Sequence, residues 1–299
     1  MDIAITGSSG LVGTALCERL ETDGHRVLRV VRPGSRSGAG SDTIAWDPDA
    51  GTIDAGGLEG LDAVIHLAGE GIGEHRWTPE QKRRIRESRT HGTRLLAGAL
   101  AELDRPPAAF LSGSAIGYYG DTGARVVDES AEPGDDFLSS VVVDWESSTV
   151  AAAEAGIRTV FLRTGIVLSP KSGALARQLP FFRVGLGGRL GSGRQVQSWI
   201  SLDDEVGAIA WLLDADVAGP VNLTSPGAVT NAEFTKALGH ALHRPTTVIP
   251  LFGPRALFGR ELVDSLLLVS QHVAPRVLET EGYEFRHRTL DAALSDLLT

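Results

Sequence analysis

Near the start of the chain, Thr6-Gly7-Ser8-Ser9-Gly10-Leu11-Val12-Gly13 has the residue types and spacing to hold a diphosphate. The run lies between an apolar strand, Ile3-Ala4-Ile5, and a helical face made of Leu11, Val12, Ala15, Leu16 and Leu20. In that setting Gly7 permits a tight turn and Gly10 lets backbone approach a pyrophosphate without a Cβ. Gly13 lets the helix pack close to the strand. The first N–H groups of a helix have no intrahelical acceptor, so they are free to meet an anion. The expected contacts are Gly7, Ser8, Ser9, Gly10, Leu11, Val12 and Gly13. The alternative is a glycine-rich loop without a ligand.

The end of the second strand selects between dinucleotides. An acidic residue there holds a ribose 2′-hydroxyl, whereas a guanidinium bonds a 2′-phosphate. Here the strand ends in Val30-Val31-Arg32-Pro33, followed by Gly34-Ser35-Arg36, and no Asp or Glu occurs between Arg26 and Ser41. This pattern predicts NADP (NADPH), bordered by Val31, with Arg32 as the main partner and Arg36 as a second. Both arginines could instead be solvated loop charges.

The elements that must position these residues alternate between strand and helix through the first two thirds of the 299 residues. Strands are expected at Arg26 to Val31, Asp62 to Leu67, Ala109 to Ser112 and Thr159 to Arg163. A long helix is expected from Pro79 to about Leu103. The pattern predicts an α/β fold, a Rossmann-type doubly wound parallel sheet, over residues 1–168. Residues 169–299 read as a smaller, mixed, substrate-side region. The chain is expected to cross back to the sheet near 201–224, and the tail from Asn231 to be mostly helical. Lys171 to Gln197, with five glycines between Gly185 and Gly193, reads as a hairpin or loop. The net charge of −10 argues against a nucleic-acid partner, and the single Cys17 excludes an intrachain disulfide. No stretch approaches a membrane span and no membrane partner is expected; no histidine spacing suggests a metal, and the simplest location is the cytoplasm.

Further segments carry a resemblance. They are His66-Leu67-Ala68-Gly69-Glu70, Ser88-Arg89, Ser114-Ala115-Ile116-Gly117-Tyr118-Tyr119-Gly120 and Asp144-Trp145-Glu146. Arg163-Thr164-Gly165, Trp199-Ile200 with Asp203-Asp204, Asn222-Leu223-Thr224 and Ala274-Pro275-Arg276 complete the set. Together the chain resembles the extended short-chain dehydrogenase/reductases, in an atypical epimerase-like subgroup with a dedicated C-terminal segment. The resemblance implies that Leu67, Ala68, Gly69, Arg89 and Val167 run beside the cofactor. By composition alone, Lys82, Arg83, Arg84 and Arg86 read as the wet face of a helix, and Arg89 fits that face as well as it fits the cofactor.

These enzymes use a Tyr and a Lys four residues apart, the lysine lowering the phenol pKa for proton exchange. Anchored on Glu146, the lysine slot is Val142 and the tyrosine slot is Leu138. Neither transfers a proton. Ser114 keeps the serine slot, with Ser112 as second choice. Tyr118 or Tyr119 could supply a phenol from an unusual position, or simply pack. The region after Leu168 is implied to close over substrate, with Gln178, Arg194 and Trp199 as contacts to an anionic or sugar-like small molecule. Two functions remain: an NADP-dependent epimerase-like oxidoreductase with a non-standard proton donor, or a catalytically silent NADP-binding sensor or scaffold. Either would act as a monomer or homodimer.

Overall fold

The computed structural model describes residues 1–34, 42–73 and 75–298. Its first half runs β1 (Asp2–Thr6), α1 (Leu11–Thr22), β2 (Arg26–Val31), β3 (Thr43–Asp47), β4 (Thr52–Ile53), β5 (Ala63–His66), α2 (Pro79–Ala101), β6 (Ala109–Ala115), β7 (Val126–Val127), α3 (Phe137–Ser147), α4 (Val150–Glu154) and β8 (Arg158–Thr164). Next come β9 (Ile166–Leu168), α5 (Gly173–Arg183), β10 (Gly188–Leu190), β11 (Val196–Gln197), β12 (Trp199–Ser201), α6 (Leu202–Asp214) and β13 (Gly219–Leu223). The chain finishes with β14 (Val229–Thr230), α7 (Asn231–Ala241), β15 (Thr247–Ile249), α8 (Phe252–Phe258), α9 (Arg260–Leu262), a π-helical turn (Val263–Leu267), β16 (His272–Val273), α10 (Arg276–Thr280) and α11 (Leu290–Leu298).

Eight strands form one sheet in the order β13-β8-β6-β5-β1-β2-β3-β4. All pairs are parallel except β3 with β4. The order reverses between β1 and β5, which is where such sheets open a crevice for ligands. Strand β1 shows how the sheet is held. Its side chains alternate, so Ile3 and Ile5 join Leu16, Leu20 and Ile209 on the α1 and α6 side. Ala4 faces the opposite layer, with Leu96 and Leu100 of α2.

Local chemistry sets the helix ends. Thr78 caps α2 by accepting the Gln81 N–H, and Pro79 opens it, where its missing N–H is harmless. Residues 171–197 are not only loop: α5 forms there despite Pro180 inside it. Its buried Leu175, Leu179 and Phe182 lie on one helical stripe, and their burial offsets the backbone bond that proline removes. The tail from Asn231 likewise contains two short strands, β15 and β16, among its helices. Strand β13 returns to the sheet edge beside β8, and α6 packs beside α1. Among the described residues, no helix is long and apolar enough to cross a membrane.

Candidate functional site

The glycine turn is built around backbone contacts that exclude side chains. Gly7 has φ +68°. A Cβ there would meet the Leu67 carbonyl carbon at 2.8 Å and the Ala68 nitrogen at 2.9 Å. A Cβ on Gly13 would collide with the Gly7 carbonyl oxygen. That same oxygen accepts the Gly10 N–H at 3.0 Å. Gly10 is the N-cap of α1 and lends no side chain to it, so the first helical N–H groups, at Leu11 and Val12, are left for a ligand. Ser8 is buried, Ser9 and Gly10 are exposed, and the Ser8 carbonyl accepts the Thr14 hydroxyl. This cradle fits the diphosphate of a dinucleotide, which would supply a hydride donor or acceptor when bound.

Thr6 links the turn to the next strand. Its Oγ1 accepts the N–H groups of Leu67 (3.1 Å) and Ala68 (3.2 Å) and lies 2.7 Å from His66 Nδ1. The hydroxyl proton is therefore given to His66 Nδ1, and Nε2 carries the ring hydrogen. Burial lowers the His66 pKa to about 4, so the ring is neutral.

Val31 is half-buried at the end of β2. Arg32 follows it, exposed, paired with Asp49 at 2.9 Å. The carboxylate absent from the strand end is thus supplied from the turn between β3 and β4. Arg36 lies outside the described residues. On the other side of the crevice, Gly69 leaves room for the Arg89 guanidinium, whose Cζ would be 3.5 Å from a Cβ there. Arg89 donates to the Ile85 carbonyl, lies over the Trp145 ring at 5.0 Å, and has its pKa lowered to about 10 by burial. Val167 lies in β9, half-buried, paired with Ile200 of β12.

A cavity of about 330 Å³ opens at the carboxyl ends of the strands, beside β6 and β8. Arg89, Ser114, Leu138 and Val142 line it, so the residues at the tyrosine and lysine positions do face the space where proton transfer would be needed. Leu266 and Leu267 of the π-helical turn close another wall. Gln197 also lines it, and its Oε1 is buried without a hydrogen-bond partner.

Behind the cavity runs a buried polar network. The Ser114 hydroxyl donates to Glu146 Oε1 at 2.6 Å. Arg163 grips both oxygens of that carboxylate, at 2.8 and 2.9 Å. It also donates to the Tyr119 hydroxyl, which in turn donates to Asn222 Oδ1 at 2.7 Å. Burial raises the Tyr119 pKa to about 12. Tyr118 stacks on the Arg163 guanidinium at 3.5 Å. The structure thus brings Ser114 to the cavity and commits Tyr119 to the network, with Tyr118 as its packing partner. Ser112 is buried within β6.

The remaining expected substrate contacts are dispersed. Trp199 is fully buried and donates its indole N–H to the Gly227 carbonyl. Gln178 donates to Ala174 on its own helix. Arg194 is exposed and lines a second, more open cavity of about 450 Å³ with Asp121 and Ser270. Asp203 is exposed and Asp204 is buried in the first turn of α6, while Glu205 has a more consequential position. It is buried, accepts the Thr164 hydroxyl at 2.7 Å, and keeps Oε2 unpartnered. Burial raises its pKa to about 8, so it is a neutral acid beside a cavity-lining threonine. Sequence reasoning missed Glu146, Arg163 and Glu205 as site residues. The only signal was that the first two lie in quoted family segments.

A parallel sheet with its phosphate turn and adjacent cavity at the carboxyl ends of its strands defines a Rossmann-type protein with a nucleotide-binding, oxidoreductase-like fold. The sequence pattern of the NAD dependent epimerase/dehydratase family matches residues 3–224, and that of a domain of unknown function (DUF1731) matches residues 249–297. The chain belongs to the epimerase/dehydratase family. It is 47% identical over 294 residues to epimerase family protein Mb2239 of Mycobacterium bovis, covering 98% of this chain and 96% of that one. The crystal structure of human epimerase family protein SDR39U1 (isoform 2) with NADPH superimposes with a TM-score of 0.90. Identity is 35%, with 99% of both chains covered. The nucleoside-diphosphate sugar epimerase of Corynebacterium glutamicum gives a TM-score of 0.80 at 36% identity, covering all of this chain and 58% of that one.

Proposed function

We propose that the chain binds NADPH along the turn at Gly7, Gly10 and Gly13, with Arg32 at the 2′-phosphate. We further propose that it acts as an oxidoreductase on a compact carbonyl or hydroxyl compound in the cavity beside Ser114. The observation that carries this reading is the common placement of turn and cavity at the carboxyl ends of the strands, across the reversal in strand order. The NADPH in the related human structure supports the choice of coenzyme. Leu138, Val142, Leu266 and Leu267 make the cavity largely apolar, and Arg89 is its one charged wall residue among those described. Such walls suit a small apolar skeleton better than a charged sugar nucleotide.

A second reading, a sensor or scaffold that binds coenzyme without turnover, is favoured by Ser114. Its proton is already given to Glu146, and Leu138 and Val142 have none to offer. One experiment separates the two. Calorimetry with NADPH and NADH is followed by NADPH consumption over a panel of small aldehydes, ketones and nucleotide sugars. Turnover on the small carbonyls supports the first reading. Tight NADPH binding with no turnover supports the second, and no heat with either coenzyme removes both.

A further inference from the structure

Charge and exposed apolar surface are unevenly distributed in this chain. Residues 171–202 and 234–260 contain nine of the 28 basic residues and none of the 38 acidic ones. These two stretches also hold most of the large exposed hydrophobic side chains. Phe252 is 79% exposed, Val184 67%, Leu186 65% and Phe181 59%, and Val248 and Leu257 are exposed as well.

The fold joins the two stretches into one face. Strand β10 pairs in parallel with β15. The Arg244 side chain donates to the Arg183 carbonyl at 2.7 Å, and a Cβ at Gly185 would touch Pro245. A Cβ at Gly191 would touch Leu251, the residue before α8. Residues 183–191 thereby run beside residues 244–251, which places Val184 and Leu186 in the same paired segment as Val248, with Arg183 and Arg244 at its start, Phe181 just before it and Phe252 just after it. Among the described residues, neither arginine has a carboxylate within ion-pair distance. Arg255 and Arg260, by contrast, pair with Asp264, so Arg183 and Arg244 carry the positive charge of this apolar face in a protein of net charge −10.

We propose that this face docks on an anionic membrane surface. Apolar side chains that protrude among arginines insert at the headgroup boundary while the guanidiniums stay with lipid phosphates. A second copy of the chain is a poorer occupant, because an isologous contact would set the same arginines against one another. A lipid surface is favoured over an acidic protein by continuity with the cavity. The segment that bears Phe252 and Leu257 runs directly into Leu266 and Leu267, which wall the apolar cavity. The docked face and the cavity wall therefore belong to one stretch of chain, which suits ligands that partition into lipid.

The test uses the full chain and sedimentation with vesicles of phosphatidylcholine alone or with phosphatidylglycerol, at low and high salt. Binding is expected to the mixed vesicles at low salt and to weaken at high salt. Arg183→Glu with Arg244→Glu is expected to weaken it by about tenfold or more. Phe252→Ser with Leu186→Ser, both exposed and so compatible with folding, is expected to weaken it separately. Circular dichroism of each variant identifies loss of fold. No sedimentation with the mixed vesicles at low salt overturns the proposal. So does unchanged binding by both folded variants, or a dimer in solution that the serine variant dissolves. The result is independent of whether the chain binds NADPH or turns over substrate.

Discussion

Ser114 and Glu146 are joined by a 2.6 Å hydrogen bond in which the serine is the donor. The serine therefore offers only lone pairs to a ligand in the cavity. The geometry also makes Glu146 the hinge of the interior, because its carboxylate is the anion opposite a buried Arg163.

Removing that anion should be costly. Glu146→Gln leaves a buried guanidinium without its charge partner, with an expected loss of about 3–5 kcal/mol of unfolding free energy. Denaturant unfolding measures it. Adding Arg163→Met should recover part of the loss. A double variant as unstable as the sum of the singles would show that the two residues are not coupled.

The turn tolerates no side chain at Gly13. Gly13→Ala is expected to push α1 away from Gly7 and lower NADPH affinity at least about tenfold, equivalent to about 1.4 kcal/mol. Calorimetry on variant protein that retains native circular dichroism reads this directly. Unaltered affinity would mean that the turn does not hold the diphosphate.

Arg32 is shared between Asp49 and solvent. Arg32→Ala should weaken NADPH by about 1.5–3 kcal/mol, the range for a hydrogen bond to a charged group, and leave NADH nearly unchanged. Asp49→Asn should release Arg32 and tighten NADPH. Equal losses for both coenzymes after Arg32→Ala would exclude a contact with the 2′-phosphate.

Two buried groups give stability opposite pH dependences. The folded Glu205 pKa of about 8 lies above its ordinary 4.5, so the folded state holds a proton that the unfolded state has released. Its contribution is full below pH 4.5 and is lost as pH rises through 8. The folded His66 pKa of about 4 lies below 6.5, so its contribution is lost as pH falls from 6.5 to 4. Between pH 6.5 and 8 only the glutamate of this pair acts. Wild-type stability should fall across that window, and Glu205→Gln should fall less. Parallel unfolding curves for the two proteins would assign the effect elsewhere.

What could be read from the residues was local in the chain. The turn glycines, the first strand and the capped α2 each declare themselves within a few positions, because the constraint and its cause are neighbours. Arg32 was visible for the same reason, but its partner Asp49 comes from a later turn. Glu146 and Arg163 sit on a helix and a strand, 17 residues apart, and Ser114 lies opposite Arg163 only through the β6–β8 register. No periodicity reports such a meeting. Helix α5 was obscured because Pro180 and the following glycines outweighed its short apolar stripe. Trp199 was misplaced toward ligand because nothing local indicates that β12 pairs with β9 and turns the indole into the core.

The return of the chain to the edge of the sheet has a consequence for its synthesis. Until Gly219–Leu223 has left the ribosome, β8 ends the sheet with its hydrogen-bonding edge bare. Until α6, made shortly before that strand, has emerged, one side of α1 has no cover. The nascent coenzyme half must therefore wait, sticky and incomplete, for residues made long after the glycine turn, and a chaperone that shields β strands would find its client there.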